Sequence, residues 1–221
     1  VIVRIHEKNV ISAHLLEYAI LNIIDEILQD RMFLIGGDFY GIQKFIFDNL
    51  GSKNAAKVLR AKSAFCELFM VVLAKFICQK FSIDEKCILS CTAGKFEILS
   101  PKFDEATFKE IKGVINAYFI KNFFGVSGVS LFCVECERAD FTEPQRYKEL
   151  RDKISKAVEL EKFKKLNLKE QEPVLSYDNG ITNQTLCRIC NIRKIAHDKD
   201  KCEICNAFVR LGERLASDSK K

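Results

Sequence analysis

The most specific chemistry in this chain is carried by four cysteines near its C-terminal end. Cys187-x2-Cys190 and Cys202-x2-Cys205 form two tight pairs separated by eleven residues. Each pair can set two thiolates on one side of a knuckle, and two knuckles complete a tetrahedron around a soft divalent ion, zinc foremost. Four sulfurs fill that shell and leave no position for an activated water, so the expected role is structural. His197 lies in the intervening loop, but four thiolates suffice without it. Cys133-x2-Cys136 has the same spacing in a segment that reads as a strand, where positions i and i+3 face opposite sides. That pair is not expected to hold metal. Cys66, Cys78, Cys87 and Cys91 sit singly among apolar neighbours, where a thiol behaves as a small core residue. Both cysteine populations fit a reduced, cytoplasmic setting.

Two other groupings could meet phosphate. Lys53, Lys57 and Arg60 follow at spacings of four and three, with Lys62 nearby, at the start of a long helical pattern. They share one face at a helix N-terminus and lack a local acid, so an anion is a candidate guest and a solvated basic face the alternative. Gly36-Gly37-Asp38-Phe39 partly resembles the Gly-Gly-Asp-Glu-Phe signature of diguanylate cyclases. It stands here at the end of an apolar strand rather than between two strands. Asp38 could hold metal or nucleotide, or cap the following turn.

The elements that must position these residues follow from periodicity. The chain has 221 residues, 48% hydrophobic and 29% charged, with only 3 prolines and 10 glycines, which describes long regular elements around a core rather than a disordered or loop-rich chain. The longest apolar run, Leu68 to Ala74, is far short of the ~20 residues of a membrane span, so no membrane is expected among the partners. The first residue is Val1, as expected for a piece of something longer. Residues 1–141 balance 17 basic against 17 acidic side chains, while 142–221 carry 18 against 13, the whole net charge of +5. That mild excess permits a nucleic-acid partner without demanding one.

Val1 to His6 reads as a strand and Val10 to Gln29 as a connecting helix. Met32 to Asp38 is a buried strand ended by glycines, and Gly41 to Phe47 a short helical segment. Ala55 to Phe81 is a long helix. Cys87–Cys91 and Lys95–Leu99 form a hairpin about Thr92-Ala93-Gly94. Asp104 caps a helix to about Phe124, and Val129 to Glu135 is the last strand. The order strand, helix, strand, strand, helix, strand defines an α+β, ferredoxin-like (βαββαβ) unit, one antiparallel sheet with two helices on one face. Four regions result: 1–31, strand and connecting helix; 32–141, the ferredoxin-like domain; 142–170, a helical connector; and 171–221, a small, mainly helical four-cysteine module with its flanking helix.

Gly37-Asp38-Phe39-Tyr40-Gly41-Ile42-Gln43-Lys44-Phe45-Ile46-Phe47, then Ser52-Lys53, then Leu59-Arg60-Ala61-Lys62-Ser63-Ala64-Phe65 together resemble the first palm domain of the large subunit of type III CRISPR effector complexes, Csm type (III-A). Thr92-Ala93-Gly94-Lys95-Phe96 is similar to that family's Gly-Gly-Gly-Lys/Arg-Phe region, and the four-cysteine module to its zinc-binding domain. Tyr40, Lys62 and Thr92-Ala93 depart from the family pattern. The resemblance implies a scaffold in antiviral defence that forms one wall of an ATP groove closed by a second palm of the same subunit. The intact subunit would make cyclic oligoadenylate from ATP with magnesium or manganese and cut single-stranded DNA, within a complex of other subunits that carries guide RNA and senses target RNA. The implied nucleotide-binding residues are Asp38, Phe39, Tyr40, Gly41 and Arg60; structural zinc falls to Cys187, Cys190, Cys202 and Cys205. No catalytic residue is assigned, and the chain alone is expected to be inactive. The other readings are a zinc-containing protein- or RNA-binding adaptor without a nucleotide role, and a degenerate diguanylate-cyclase-like enzyme.

Overall fold

Apolar side chains along Met32–Tyr40 (β1) point alternately to two buried layers, because both faces of the sheet built on this strand are covered. A computed structural model of the chain describes residues 32–47, 54–164, 185–196 and 198–218. The expected strand and helix within 1–31, the Ser52-Lys53 motif, residues 165–184 and His197 lie outside these residues. β1 is followed by α1 (Ile42–Phe47), α2 (Ala55–Phe81), β2 (Ile88–Thr92), β3 (Lys95–Ser100), α3 (Glu105–Phe123) and β4 (Gly128–Cys136). Then come α4 (Ala139–Thr142), α5 (Pro144–Phe163), a two-stranded ribbon of β5 (Thr185–Leu186) and β6 (Lys194–Ile195), and α6 (Glu203–Asp218).

The main sheet has the order β2-β3-β1-β4, and every neighbouring pair is antiparallel. The β2–β3 turn is two residues long, with Ala93 at φ 52 and Gly94 at φ 73, the doubly left-handed geometry that matches strand twist. Asp104 caps α3 as expected, its carboxylate accepting from the Thr107 amide at 2.7 Å. β1 does not stop at Asp38. Asp38, Phe39 and Tyr40 still pair with Ser130, Val129 and Gly128 of β4, so the strand runs three residues beyond the glycines.

The glycines themselves serve packing. A Cβ on Gly36 would lie 2.3 Å from the Phe132 ring on one face, and one on Gly37 would lie 2.4 Å from the Phe96 ring on the other. Two consecutive strand positions point to opposite faces, so two adjacent glycines admit one ring from each layer.

On the first face α2 and α3 cover the sheet with phenylalanine. Phe45 meets Phe39, Phe65 and Phe123 at ring-centroid distances of 5.7, 5.8 and 5.1 Å, and Phe119 meets Phe39 and Phe69 at 5.5 and 5.1 Å. Such pairs add about 0.5–1.5 kcal/mol each beyond area burial. The opposite face, expected bare of helices, is covered by α5. Leu150 and Ile154 pack on Met32, Leu34, Phe132 and Cys136, flanked by ion pairs from Arg151 to Glu97 at 2.5 Å and Lys162 to Asp38 at 3.3 Å. The stretch read as a connector therefore supplies a third layer.

The cysteine module is no satellite either. Cys187, Ile189, Ile195, Phe208 and Val209 belong to the same core as the sheet and α2. α6 lies directly on the start of α2: a Cβ on Gly212 would fall 2.0 Å from the Lys57 carbonyl oxygen. None of the described helices is long and apolar enough to cross a membrane.

Candidate metal centre and nucleotide cleft

The four cysteines converge. Their sulfurs all lie within 4.8 Å of one another, with Cys187, Cys202 and Cys205 buried and Cys190 partly so. The first knuckle closes through Asn191, left-handed at φ 52, whose amide donates to the Cys187 carbonyl at 2.9 Å. The second sits at the start of α6, where free amides aim at the thiolates. The Cys205 amide donates to Cys202 Sγ at 3.4 Å and the Cys202 amide to Cys187 Sγ at 3.3 Å. A helix N-terminus stabilises thiolate. Hydrogen bonds from the Cys202 and Cys205 thiols hold Cys190 far below the ordinary thiol range, while Cys205 is pushed up by its hydrogen bonds with Cys190 and Cys202. Arg193 adds a cation, its Nη1 lying 3.7 Å from Cys190 Sγ and 3.8 Å from Cys202 Sγ. Four soft donors with amide and guanidinium support fit a closed, tetrahedral metal centre.

The remaining cysteines behave differently. Burial pushes the thiols of Cys66 and Cys133 up to about 12 and those of Cys78 and Cys136 up to about 11, so they stay protonated and inert. Cys133 packs against the α2–α3 core and Cys136 belongs to the α5 layer, opposite faces of one strand, and the two cannot share an ion.

The residues nominated for nucleotide are dispersed. Asp38 faces α5 and is held by Lys162 at 3.3 Å and Lys95 at 4.0 Å, in a cleft of about 230 Å³ that Arg151 and Glu159 also line. Phe39 is 2% exposed, and its amide donates to the Gly94 carbonyl at 2.9 Å, so neither its ring nor its N–H is open to a phosphate. Tyr40 covers Gly128, where a Cβ would lie 2.4 Å from its hydroxyl, and burial raises its pKa. Gly41 has φ 72, and a Cβ there would come 2.8 Å from the Val126 carbonyl oxygen, so glycine is required on both counts. Arg60 donates to the Gly212 carbonyl at 3.0 Å, and neighbouring Lys57 pairs with Glu213 at 2.9 Å. The cationic face that lacks a local acid finds one on α6.

What does converge is a cleft of about 350 Å³ between α1, α2 and the β2–β3 turn, lined by Ile42, Ile46, Ser63, Glu67, Ala93 and Gly94. The Phe39–Gly94 hydrogen bond ties the end of β1, and hence the Gly41 turn, to this rim. Ser63 and Ala93-Gly94 appear in the sequence motifs, but nothing local distinguishes them as lining residues; their neighbours across the cleft do.

The chain thus folds as an antiparallel sheet layered with helices and joined through one core to a four-cysteine cluster that could hold a metal ion. Residues 31–178 match the family model of Csm1 subunit domain B, and the chain belongs to that family. It is 22% identical over 200 residues to the CRISPR system single-strand-specific deoxyribonuclease Cas10/Csm1 (subtype III-A) of Streptococcus thermophilus, covering 86% of this chain and 26% of that protein. It is 26% identical over 204 residues to its counterpart from Methanocaldococcus jannaschii, covering 82% and 25%. The chain thus spans about a quarter of the length of these curated relatives. Among solved structures, the Csm1–Csm4 subcomplex of the type III-A CRISPR-Csm interference complex matches with a TM-score of 0.60 at 21% identity over 84% of this chain and 22% of that one. The Csm1–Csm4 cassette in complex with AMPPNP matches with a TM-score of 0.55 at 22% identity, over 64% and 20%.

Proposed function

We propose that this chain is the first palm of a Csm-type large subunit and forms one wall of an ATP-binding groove, with the four cysteines holding a structural zinc ion. We read the β2-β3-β1-β4 order with its two crossover helices as ferredoxin-like. The observation that carries the reading is the cleft formed by α1, α2 and the β2–β3 turn. It joins an apolar rim to the Ser63 hydroxyl, beside a turn that only glycine can make. Phosphoryl transfer needs carboxylates that hold metal against phosphate, whereas Asp38 is matched by two lysines and Glu67 is the single carboxylate lining this cleft. The chain therefore binds and braces, and a second palm of the same subunit supplies the chemistry. Zinc is the ion that best suits a closed four-thiolate centre. In the intact subunit the groove serves cyclic oligoadenylate synthesis, alongside single-stranded DNA cleavage elsewhere in the protein, within a complex of Csm subunits whose guide RNA pairs with target RNA.

The test is calorimetric titration of a non-hydrolysable ATP analogue into the intact subunit and its Ser63→Val variant. Loss of one hydrogen bond predicts roughly tenfold weaker binding. Unchanged affinity would remove this cleft from the groove. The chain alone, with magnesium or manganese, should make no cyclic oligoadenylate and cut no single-stranded DNA.

A further inference from the structure

Where the cysteine module meets the palm there is a second cavity, of about 240 Å³, that the ATP reading does not use. It lies between α1, α2, the turn after α3 and the metal-binding knuckle. Phe45, Phe124 and Phe208 give it aromatic walls, and the cationic residues Lys44 and Lys62 line it as well. Lys62 rests 5.5 Å above the Phe45 ring, and Lys44 has no acidic partner among the described residues. Arg193 completes the positive side as a fixed wall. Its guanidinium donates to the Asn122 carbonyl oxygen and lies 5.0 Å from the Phe124 ring centroid.

Ser127 supplies an independent observation. It lines the cavity, is fully buried, and its hydroxyl has no hydrogen-bond partner in the structure. A buried hydroxyl left unmet is costly, and such groups are normally satisfied by protein, water or ligand. Size narrows the guest. A cavity of ~150 Å³ already takes a benzene ring, so this one holds a single ring with one small polar group attached.

We propose that this cavity binds a small anion borne on a compact aromatic body, such as an aryl phosphate, with the ring among the phenylalanines and the anionic group between Lys44 and the Ser127 hydroxyl. The site is separate from the ATP cleft. α1 turns Lys44 and Phe45 toward this cavity and Ile42 and Ile46 toward the cleft. It also lies directly behind the Gly41 turn, which packs on Val126 and Ser127.

The 221-residue chain, metal-loaded, would be titrated with phenyl phosphate, phenol and inorganic phosphate by calorimetry and ligand-observed NMR. Phenyl phosphate should bind saturably, at least about tenfold more tightly than either half alone. Lys44→Ala and Ser127→Ala should each weaken it severalfold, and Ser127→Ala should do so without lowering the melting temperature, because it removes an unmet hydroxyl. An ATP analogue should not displace the probe. Four results would overturn the proposal: no saturable binding, equal binding of inorganic phosphate or phenol, affinity untouched by both substitutions, or displacement by the ATP analogue.

Discussion

The cysteine cluster and the Asp38 end of β1 are both built from residue types that can hold a metal ion, and they differ in what surrounds the donors. At the cluster, four sulfurs within 4.8 Å of one another are met by amides and one arginine, which stabilise negative charge but leave the sulfurs free to ligate. At Asp38 one carboxylate faces two ammonium groups, and its charge is already matched. A site awaits an ion when like donors are gathered and their charge is only partly compensated. A single acid opposite two lysines is a strut between layers. A similar contrast separates the cationic side chains: Lys57 and Arg60 are engaged by α6, while Lys44 lines a cavity beside Ser127.

Breaking the gathered site should have the largest effect. Removing the metal, or Cys202→Ser, forfeits a binding free energy on the order of 10 kcal/mol. The module shares its core with the main sheet and α2, so the loss should travel. Hydrogen exchange should rise not only over β5, β6 and α6 but also in the first turns of α2. Exchange confined to residues 185–218 would make the module an independent appendage.

Next in size is Gly37→Ala. The added methyl enters the Phe96 ring, and overpacking of this kind costs about 1–3 kcal/mol. Denaturant unfolding should show that loss; full stability would mean the glycine serves a ligand rather than the core.

Arg60→Ala gives a smaller change, about 1 kcal/mol for one hydrogen bond to the Gly212 carbonyl. It should loosen α6 in hydrogen exchange while leaving the affinity of the intact subunit for an ATP analogue unaltered. A clear drop in that affinity with normal exchange would restore Arg60 to the nucleotide.

The smallest effect is pH-dependent. The Lys57 ammonium holds Glu213 below the usual carboxylate range. A depressed folded pKa gives stability that is present above the unfolded value, near ~4.3, and is lost as pH falls through the folded one. Glu213→Gln should therefore melt slightly lower than the parent chain at pH 7, and the gap should close below about pH 4.

What was legible in the sequence was local. The Asp104 cap, the Ala55–Phe81 helix, the hairpin turn and the cysteine spacing each depend on residues a few positions apart, and each formed where periodicity put it. What was not legible rests on distant partners. Arg60 and Gly212 are 152 residues apart, and no local pattern announces that α6 will lie on α2 or that α5 will cover the second face of the sheet. The Gly36-Gly37 pair misleads for the same reason. Its cause is two rings, Phe132 and Phe96, that arrive from other strands.

Metal analysis of the purified chain tests the central contrast most directly. Mass spectrometry should find a single zinc ion per chain, retained in Asp38→Ala and lost in Cys190→Ser. A metal that leaves with Asp38, or a folded chain whose four cysteines hold none, would contradict it.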